Sequence, residues 1–435
     1  MIRSQKQETA YLIGLITSFQ RKETALESLD ELNALAQTSG VIIAASQMVE
    51  VRQISAATFI GKGKIEEIGE KLKLLGCDLV IFDVNLAPSQ NKALEEAWGI
   101  HVIDRTSLIL DIFALHAKSK EGKLQVELAQ YQYLYPRLVG AWTHLSKQRG
   151  GGVGLRGPGE TQLEVDRRRV RERITHIKND LKKVERSREI HRKKRATLPI
   201  PTITLVGYTN AGKSTLFNKL TEANVLAEDK LFATLDPKTK RISLPSGRKV
   251  LVSDTVGFIR NLPHQLVEAF KSTFEEVRQS AILLHVVDGS RPHYKDQIKV
   301  VNQVLEELKL NHLPMITVRN KMDRIEKIPL NPPFLKGENN SPRITSPFKK
   351  GGAEGDFNNP LFLSALTGVG VPQLLQAIDT TLQENLKTTE LFLPHPYGAK
   401  LSQLYTHGHV HKVKNTTKGA YVTVALPEKW LNKLG

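Results

Sequence analysis

The strongest constraint on the fold is a glycine-rich octapeptide, GYTNAGKS, at residues 207–214. It follows an apolar run that favours a strand and precedes a run that favours a helix. The pattern matches G-x-x-x-x-G-K-[ST], in which Gly207 and Gly212 let phosphate oxygens approach backbone N–H groups. Lys213 would neutralise charge on the β- and γ-phosphates, and the Ser214 hydroxyl would bind Mg²⁺. The loop therefore predicts a βα nucleotide-binding sheet, without distinguishing ATP from GTP.

A second motif follows at the end of the apolar strand VLVSD, where Asp254, Thr255, Val256 and Gly257 form a D-x-x-G sequence. Asp254 would hold Mg²⁺ through water. Gly257 has no side chain, so its N–H can approach the γ-phosphate. A lone tetrapeptide has no specificity, but its place after the phosphate loop and at a strand end makes it a specific signal.

The base-selecting motif is N-K-x-D, which ends the apolar strand PMITV and comprises Asn320, Lys321, Met322 and Asp323. The Asp323 carboxylate can accept both the ring N–H and the exocyclic amine of guanine, whereas adenine would leave it unpaired. This favours GTP over ATP. Further along, LFLSALTG places a backbone amide near the guanine carbonyl, through Ser364, Ala365 and Leu366; S-A dipeptides are common, so this motif only corroborates the others.

Composition indicates the partner class and the compartment. The chain has 62 Lys and Arg against 45 Asp and Glu, a formal charge of +17, which favours a polyanionic partner such as nucleic acid. It has no apolar run long enough to cross a membrane and no secretory signal, so we expect a soluble cytoplasmic protein. We also expect a monomer. Its only cysteine, Cys77, excludes an internal disulfide.

Before the phosphate loop, the chain predicts an α/β domain and then a helical hairpin. Residues 10–118 alternate β-rich runs with helical stretches, which favours a mainly parallel sheet. The tract GKGK at Gly61–Lys64 is more typical of a strand-to-helix turn than of a phosphate site. Two runs with coiled-coil spacing follow, the first at Leu124, Leu128, Tyr131, Tyr135 and Leu138, the second at Leu163, Val170, Ile174, Ile177, Leu181 and Val184.

The tip of this hairpin and its second arm are candidates for RNA contact. Six of the ten residues from Gly150 to Gly159 are glycine, and from Glu160 to Arg195 the chain has 14 Lys or Arg against 7 Asp or Glu. Glycines among basic side chains suit contact with a folded RNA backbone, whereas a solvated helix face with an inert linker is the alternative. The candidate RNA-binding residues are Arg149, Arg156, Gly157 and Gly159.

Three longer segments carry a family resemblance: GGVGLRGPGETQLE at Gly151–Glu164, LFATLDP at Leu231–Pro237 and DTVGFIRNLP at Asp254–Pro263. With these, the chain resembles the HflX family of ribosome-associated P-loop GTPases, in the Obg-HflX group of the translation-factor class. The resemblance implies an α/β fold with four parts: an N-terminal α/β domain (1–120), an antiparallel helical hairpin (121–197), a Ras-like P-loop GTPase domain (198–388) and a small C-terminal α+β domain (389–435).

The resemblance also implies a GTP-hydrolysing switch protein that binds the large (50S) ribosomal subunit and its rRNA. Such a protein helps to split or rescue stalled or idle ribosomes, with a role in translation or ribosome biogenesis. Thr234 is implied as a switch threonine that joins Ser214 and Asp254 at Mg²⁺. The implied GTP and GDP contacts are Gly207, Tyr208, Thr209, Asn210, Ala211, Gly212, Lys213, Ser214, Thr215, Phe232, Ala233, Thr234, Asp254, Thr255, Val256, Gly257, Asn320, Lys321, Met322, Asp323, Ser364, Ala365 and Leu366.

Catalysis is assigned to Lys213, Thr234, Gly257 and Asn210. Phe258 stands where many GTPases have a glutamine that orients the attacking water, so basal hydrolysis should be slow. Asn210 matches an asparagine that binds K⁺ in some GTPases of similar sequence; a polar turn residue is the equally weighted alternative.

The sequence allows several further interpretations. A Gly-, Pro- and Lys-rich insertion at about 330–360 predicts a surface loop. His407, His409 and His411 could share a strand face, but no carboxylate or cysteine nearby completes a metal site. A tRNA-modifying enzyme would need a C-terminal cysteine, which is missing. A non-enzymatic RNA-binding protein would not need Lys213 and Asp323.

Overall fold

The computed structural model describes residues 8–17, 21–141, 162–195, 200–222, 231–260, 266, 274, 277–325, 360–384, 387–407 and 409–426. Their contacts divide the chain into two compact units. The first unit contains residues 1–185, 228–236 and 261–271, and the second contains residues 186–227, 237–260 and 272–435. The glycine tip with Arg149, Arg156, Gly157 and Gly159 lies outside the described residues, as does almost all of the predicted insertion. The predicted domain boundaries stay predictions.

The first unit contains a four-stranded parallel sheet in the order β2-β1-β3-β4. Its strands are β1 (Thr9–Thr17), β2 (Ile42–Val51), β3 (Leu79–Phe82) and β4 (His101–Asp104). The helices among them are α1 (Lys22–Ser39), α2 (Lys62–Leu75), α3 (Pro88–Trp98) and α4 (Arg105–His116). Helix α2 begins inside the GKGK tract, which agrees with the strand-to-helix turn favoured above.

Two long helices pair as an antiparallel hairpin; the second helix contributes residues 162–185 to the first unit and 186–195 to the second. They are α5 (Lys120–Ala141) and α6 (Gln162–Arg195). Arg173 on α6 forms a 2.6 Å salt bridge with Glu127 on α5, whereas Arg171 donates a 2.8 Å hydrogen bond to the Tyr135 hydroxyl further along α5. The partner on α5 advances as the α6 residue number falls, which defines the antiparallel direction. The buried apolar residues in the pair include Leu128, Ile177 and Leu181, all at predicted seam positions.

The second unit contains a six-stranded sheet in the order β10-β9-β8-β5-β7-β6, parallel except for β6. Its strands are β5 (Thr202–Gly207), β6 (Lys238–Ser243), β7 (Lys249–Asp254), β8 (Ile282–Asp288), β9 (Met315–Asn320) and β10 (Leu361–Phe362). Helices α7 (Lys213–Thr221), α8 (Tyr294–Glu307) and α9 (Val371–Glu384) accompany it. The apolar core lies between the sheet and α7 and α9.

A three-stranded antiparallel sheet in the order β11-β13-β12 completes the second unit. It consists of β11 (Lys387–Pro394), β12 (His409–Thr416) and β13 (Gly419–Leu426), with helix α10 (Gly398–His407) between β11 and β12. The side chains of His407, His409 and His411 lie outside the described part. The predicted α/β fold class is confirmed. No described helix is long and apolar enough to cross a membrane.

Candidate nucleotide site

The backbone of residues 207–214 explains why the loop needs its glycines. Gly212 has φ +90°, and a Cβ there would lie 2.2 Å from Asn320 Nδ2. Gly207 has φ +154°, and a Cβ there would lie 2.2 Å from the Val286 carbonyl oxygen. Any side chain would collide at both positions. Asn210 also has a left-handed backbone, with φ +59°, which asparagine tolerates better than most residues.

Lys213 is fully buried at the first turn of α7, with its charge inside the loop. Its Nζ donates hydrogen bonds to the carbonyls of Tyr208, at 2.8 Å, and Gly207, at 3.1 Å. Burial lowers the pKa of Lys213 to about 8, with a further lowering by Lys321 and an opposing effect of Asp254. The buried ammonium has lost most of its hydration. Phosphate oxygens of a bound polyphosphate would replace those water contacts and balance the positive charge.

The residues predicted to hold Mg²⁺ include one pair that the structure brings together. The Ser214 hydroxyl donates a 2.7 Å hydrogen bond to Asp254 Oδ2, which links the start of α7 to the end of β7. A hydroxyl and a carboxylate are hard oxygen donors of the kind that Mg²⁺ prefers, so the pair fits the metal. The next residue, Thr255, donates to the Leu205 carbonyl on β5 at 2.6 Å and fixes this strand end.

Gly257 and Phe258 pack directly on the phosphate loop. A Cβ on Gly257 would lie 2.8 Å from Thr209 Cα and 3.0 Å from Lys213 Nζ, so only glycine fits. Phe258 forms backbone hydrogen bonds with Gly207, at 3.0 Å, and with Thr209, at 2.7 Å. Its ring is buried and stacks on Phe274 with centroids 5.9 Å apart. The aromatic residue that replaces the orienting glutamine therefore serves core packing, which sequence reasoning missed.

The base-selecting motifs come together through three hydrogen bonds. Asn320 donates to the Ala211 carbonyl at 2.9 Å and accepts from the Ala365 N–H at 2.9 Å. The Ser364 hydroxyl donates to Asp323 Oδ1. Asn320 therefore ties the phosphate loop to the loop after β10, and Ser364 orients the carboxylate predicted to contact guanine. Leu366, 71% exposed, lies beside them and offers an apolar surface to a flat base.

The remaining predicted metal ligand, Thr234, lies in the first unit, together with Phe232. Both residues are buried. Thr234 therefore belongs to a different unit from Ser214 and Asp254, and its role as a ligand stays a prediction.

Three family models match the chain. The model of the GTP-binding GTPase N-terminal region matches residues 26–114, that of the GTP-binding GTPase middle region matches residues 116–195, and that of the 50S ribosome-binding GTPase matches residues 202–321. The GTPase HflX of Caldanaerobacter subterraneus subsp. tengcongensis is 43% identical over 99% of this chain and 94% of its own length. The chain belongs to the HflX family of GTPases. The GTPase HflX of Escherichia coli is 45% identical over 90% of this chain and 87% of its own length. The GTPase HflX of Magnetococcus marinus is 42% identical over 99% of this chain and 95% of its own length.

Membership in the HflX family confirms the expected activity, the hydrolysis of GTP. It also decides against the two alternatives that the sequence left open, a tRNA-modifying enzyme and a non-enzymatic RNA-binding protein. The individual contacts to GTP that the HflX resemblance implied stay predictions. Among them, the structure brings Lys213, Ser214, Asp254, Gly257 and Asn320 into one bonded or packed group.

Proposed function

We propose that this chain uses the binding and hydrolysis of GTP to control its attachment to the large ribosomal subunit, and that it thereby helps to separate stalled or idle ribosomes. The observation that carries the proposal is a basic arm, helix α6, whose residues 162–185 belong to the same compact unit as the switch segment Leu231–Asp236. A nucleotide-sensitive segment and an RNA-binding arm in one unit can move together. The 50S ribosome-binding model that matches residues 202–321 supports the same partner.

Ser214 and Asp254 would hold Mg²⁺, and the family resemblance assigns Thr234 to the GTP-bound state. When bound, Mg²⁺ would neutralise part of the charge on the phosphates. Lys213 would neutralise charge on the β- and γ-phosphates, and the Gly257 N–H would contact the terminal phosphate. Because Phe258 cannot hydrogen bond to water, basal hydrolysis is slow, and the ribosome supplies the stimulus.

The switch segment is anchored to the first unit by Asp236. Its carboxylate accepts hydrogen bonds from the backbone N–H groups of Lys118, at 3.0 Å, and Ser119, at 2.7 Å, and from the Ser119 hydroxyl. These groups directly precede α5, whose N-terminal cap is Ser119, since its hydroxyl oxygen accepts a 2.9 Å hydrogen bond from the Gly122 N–H. Asp236 therefore holds this capping residue in place. A Cβ on Gly122 would come within 2.4 Å of Asp236 Oδ1, so the absence of a side chain admits the carboxylate.

Two further contacts extend this anchor. The ring of Phe232 meets that of Phe113 on α4 edge to face, with centroids 4.6 Å apart. The Leu231 N–H donates to the Thr38 hydroxyl on α1 at 3.3 Å. The residues on either side of Thr234 therefore contact α1, α4 and the start of α5, all in the first unit. A movement of the segment on nucleotide binding would be transmitted to the base of the hairpin.

Asp236→Ala should uncouple the arm from the nucleotide. Loss of charge-assisted hydrogen bonds costs about 1.5 to 3 kcal/mol, so the ratio of subunit affinities with a GTP analogue and with GDP should fall at least roughly tenfold. The ratio is measured by co-sedimentation with large subunits. Lys238→Ala, which changes an exposed residue just beyond the segment, is the matched control. An unchanged ratio in Asp236→Ala would contradict the coupling.

Asn210 is the proposed ligand for K⁺ beside the phosphates. Within the described part of the chain, its side-chain oxygen accepts a long hydrogen bond, 3.4 Å, from Lys321. We expect faster hydrolysis in K⁺ than in Na⁺ at matched ionic strength. Asn210→Gly keeps the left-handed backbone but removes the oxygen, so it should lose the K⁺ response, whereas Asn210→Asp should retain it. A response that survives in Asn210→Gly would leave Asn210 as a turn residue.

The arm is expected to bind RNA mainly through phosphates. Arg169 and Lys183 on α6 expose 71% and 74% of their side chains, and no aromatic residue lies between Glu160 and Arg195. Such binding releases counterions and weakens steeply with salt. Replacing both side chains by glutamine should lower the affinity for large subunits and flatten its salt dependence, relative to the same change at Lys295 and Lys299 on α8. Equal effects of the two pairs would contradict a role for the arm.

A further inference from the structure

The small sheet formed by β11, β13 and β12 has one covered face and one bare face. Successive side chains of a strand point to opposite faces. Leu393, Val422 and Val424 pack with Leu404 of α10 in one apolar cluster, which defines the covered face. The other face carries the alternate residues of the three strands, which are exposed or only partly buried: Glu390, Phe392, Pro394, Lys412, Lys414, Thr416, Tyr421 and Thr423.

Two aromatic rings stand side by side on the bare face. Phe392 on β11 pairs with Tyr421 on the central strand β13, and each residue is 45% exposed. Their centroids are 4.9 Å apart, and the ring planes are inclined by 50°. A cross-strand aromatic pair stabilises a sheet. Sheet stability alone does not explain why both rings are exposed to solvent. Two adjacent exposed rings offer a stacking surface to flat ligands.

The charge around the rings is mainly positive. In the strand register, Lys414 lies opposite Tyr421, so Phe392, Tyr421 and Lys414 form one row across the sheet. Lys412 lies in the neighbouring row, and Lys418 lies in the turn between β12 and β13. Glu390 is the one carboxylate among the bare-face residues. Rings flanked by ammonium groups match a ligand that alternates flat bases with phosphates.

We propose that this sheet face, defined by Phe392, Tyr421, Lys412 and Lys414, binds single-stranded RNA. Unpaired bases stack on the two rings, while the lysines on β12 contact the adjacent phosphates. Paired RNA cannot expose its base faces to the rings, so the surface selects unpaired strands. This surface differs in chemistry from the arm, since no aromatic residue lies between Glu160 and Arg195 and we expect the arm to contact phosphates. The inference goes beyond the proposed function, since it requires neither GTP nor an intact subunit.

The test compares the binding of two labelled RNAs to the full chain by fluorescence anisotropy: an unstructured 12-mer and the same strand in a duplex. The salt concentration is about 0.2 M, where phosphate contacts of the arm are weak. In the double variant Phe392→Leu, Tyr421→Leu, which keeps apolar contact across the strands but removes both rings, the affinity for the single strand should fall roughly ten- to hundredfold. Affinity for the duplex should not change.

Three controls separate this result from misfolding and from failure of the proposed function. Thr423→Ala, on the same face, should bind both RNAs like the parent chain. The double variant should keep the parent rate of GTP hydrolysis and its thermal unfolding temperature to within a few degrees. Strands that contain 4-thiouridine should crosslink to peptides within residues 387–394 or 419–426. Equal losses for both RNAs, no loss for either, or crosslinks confined to α6 would overturn the proposal.

Discussion

Lys213→Ala should abolish measurable GTP binding. Its ammonium lies fully buried within the phosphate loop and donates to two loop carbonyls. Two charge-assisted contacts to phosphate oxygens are worth about 3 to 6 kcal/mol together, so the affinity should fall by roughly two to four orders of magnitude. Titration with a fluorescent GTP analogue measures the change, and Lys219→Ala, an exposed residue on the same helix, should bind normally.

The nucleotide-free Lys213→Ala protein should unfold within a few degrees of the parent. Burial disfavours the charged amine, as the lowered pKa near 8 indicates, so removing the amine relieves a desolvation cost and offsets the lost hydrogen bonds. If binding were lost together with a large fall in the unfolding temperature, the lysine would be structural. Retention of GTP binding would contradict the phosphate assignment.

Asp323→Asn should have the second largest effect and should change which base is bound. The side-chain amide cannot accept both donors of guanine, so the affinity for GTP should fall by about 1.5 to 3 kcal/mol, tens- to hundredfold. An amide can instead donate to the carbonyl that xanthine carries in place of the guanine amine, so affinity for xanthosine triphosphate should rise. Competition titrations with GTP, ATP and xanthosine triphosphate measure both changes.

Ser364→Ala is the matched control for Asp323. It removes the hydroxyl that donates to Asp323 Oδ1 but leaves both acceptor oxygens, so GTP affinity should fall less and base selectivity should persist. An unchanged preference for GTP over ATP in Asp323→Asn would contradict the assignment of the base site.

The nucleotide motifs could be recognised in the sequence because each consists of a few consecutive residues. A glycine whose Cβ would meet the Val286 carbonyl, as at Gly207, leaves its signature within eight residues of the chain. The paired Ser214 and Asp254 lie far apart in the sequence but at the ends of adjacent strand and helix elements, so a parallel sheet brings them together. The order of motifs was therefore sufficient to predict this part of the site.

The roles of Phe258 and Asp236 were not predictable in this way. From its place beside Gly257, Phe258 was compared with the glutamine that orients water in other GTPases. In the structure its ring packs on Phe274, which lies in another segment of the chain. Asp236 holds Ser119, the capping residue of a helix that begins more than a hundred residues earlier in the chain. Neither partner has a local pattern that marks it, so only the fold identifies these contacts.

The central claim is that the bound nucleotide controls attachment to the large ribosomal subunit. It is tested most directly by sedimenting the full chain with purified large subunits at about physiological ionic strength, with a non-hydrolysable GTP analogue, with GDP or without nucleotide. We predict that the chain pellets with large subunits in the GTP-analogue state and mostly stays in the supernatant with GDP, and that Lys213→Ala loses this difference. Equal pelleting in all three states, or none in any, would contradict it.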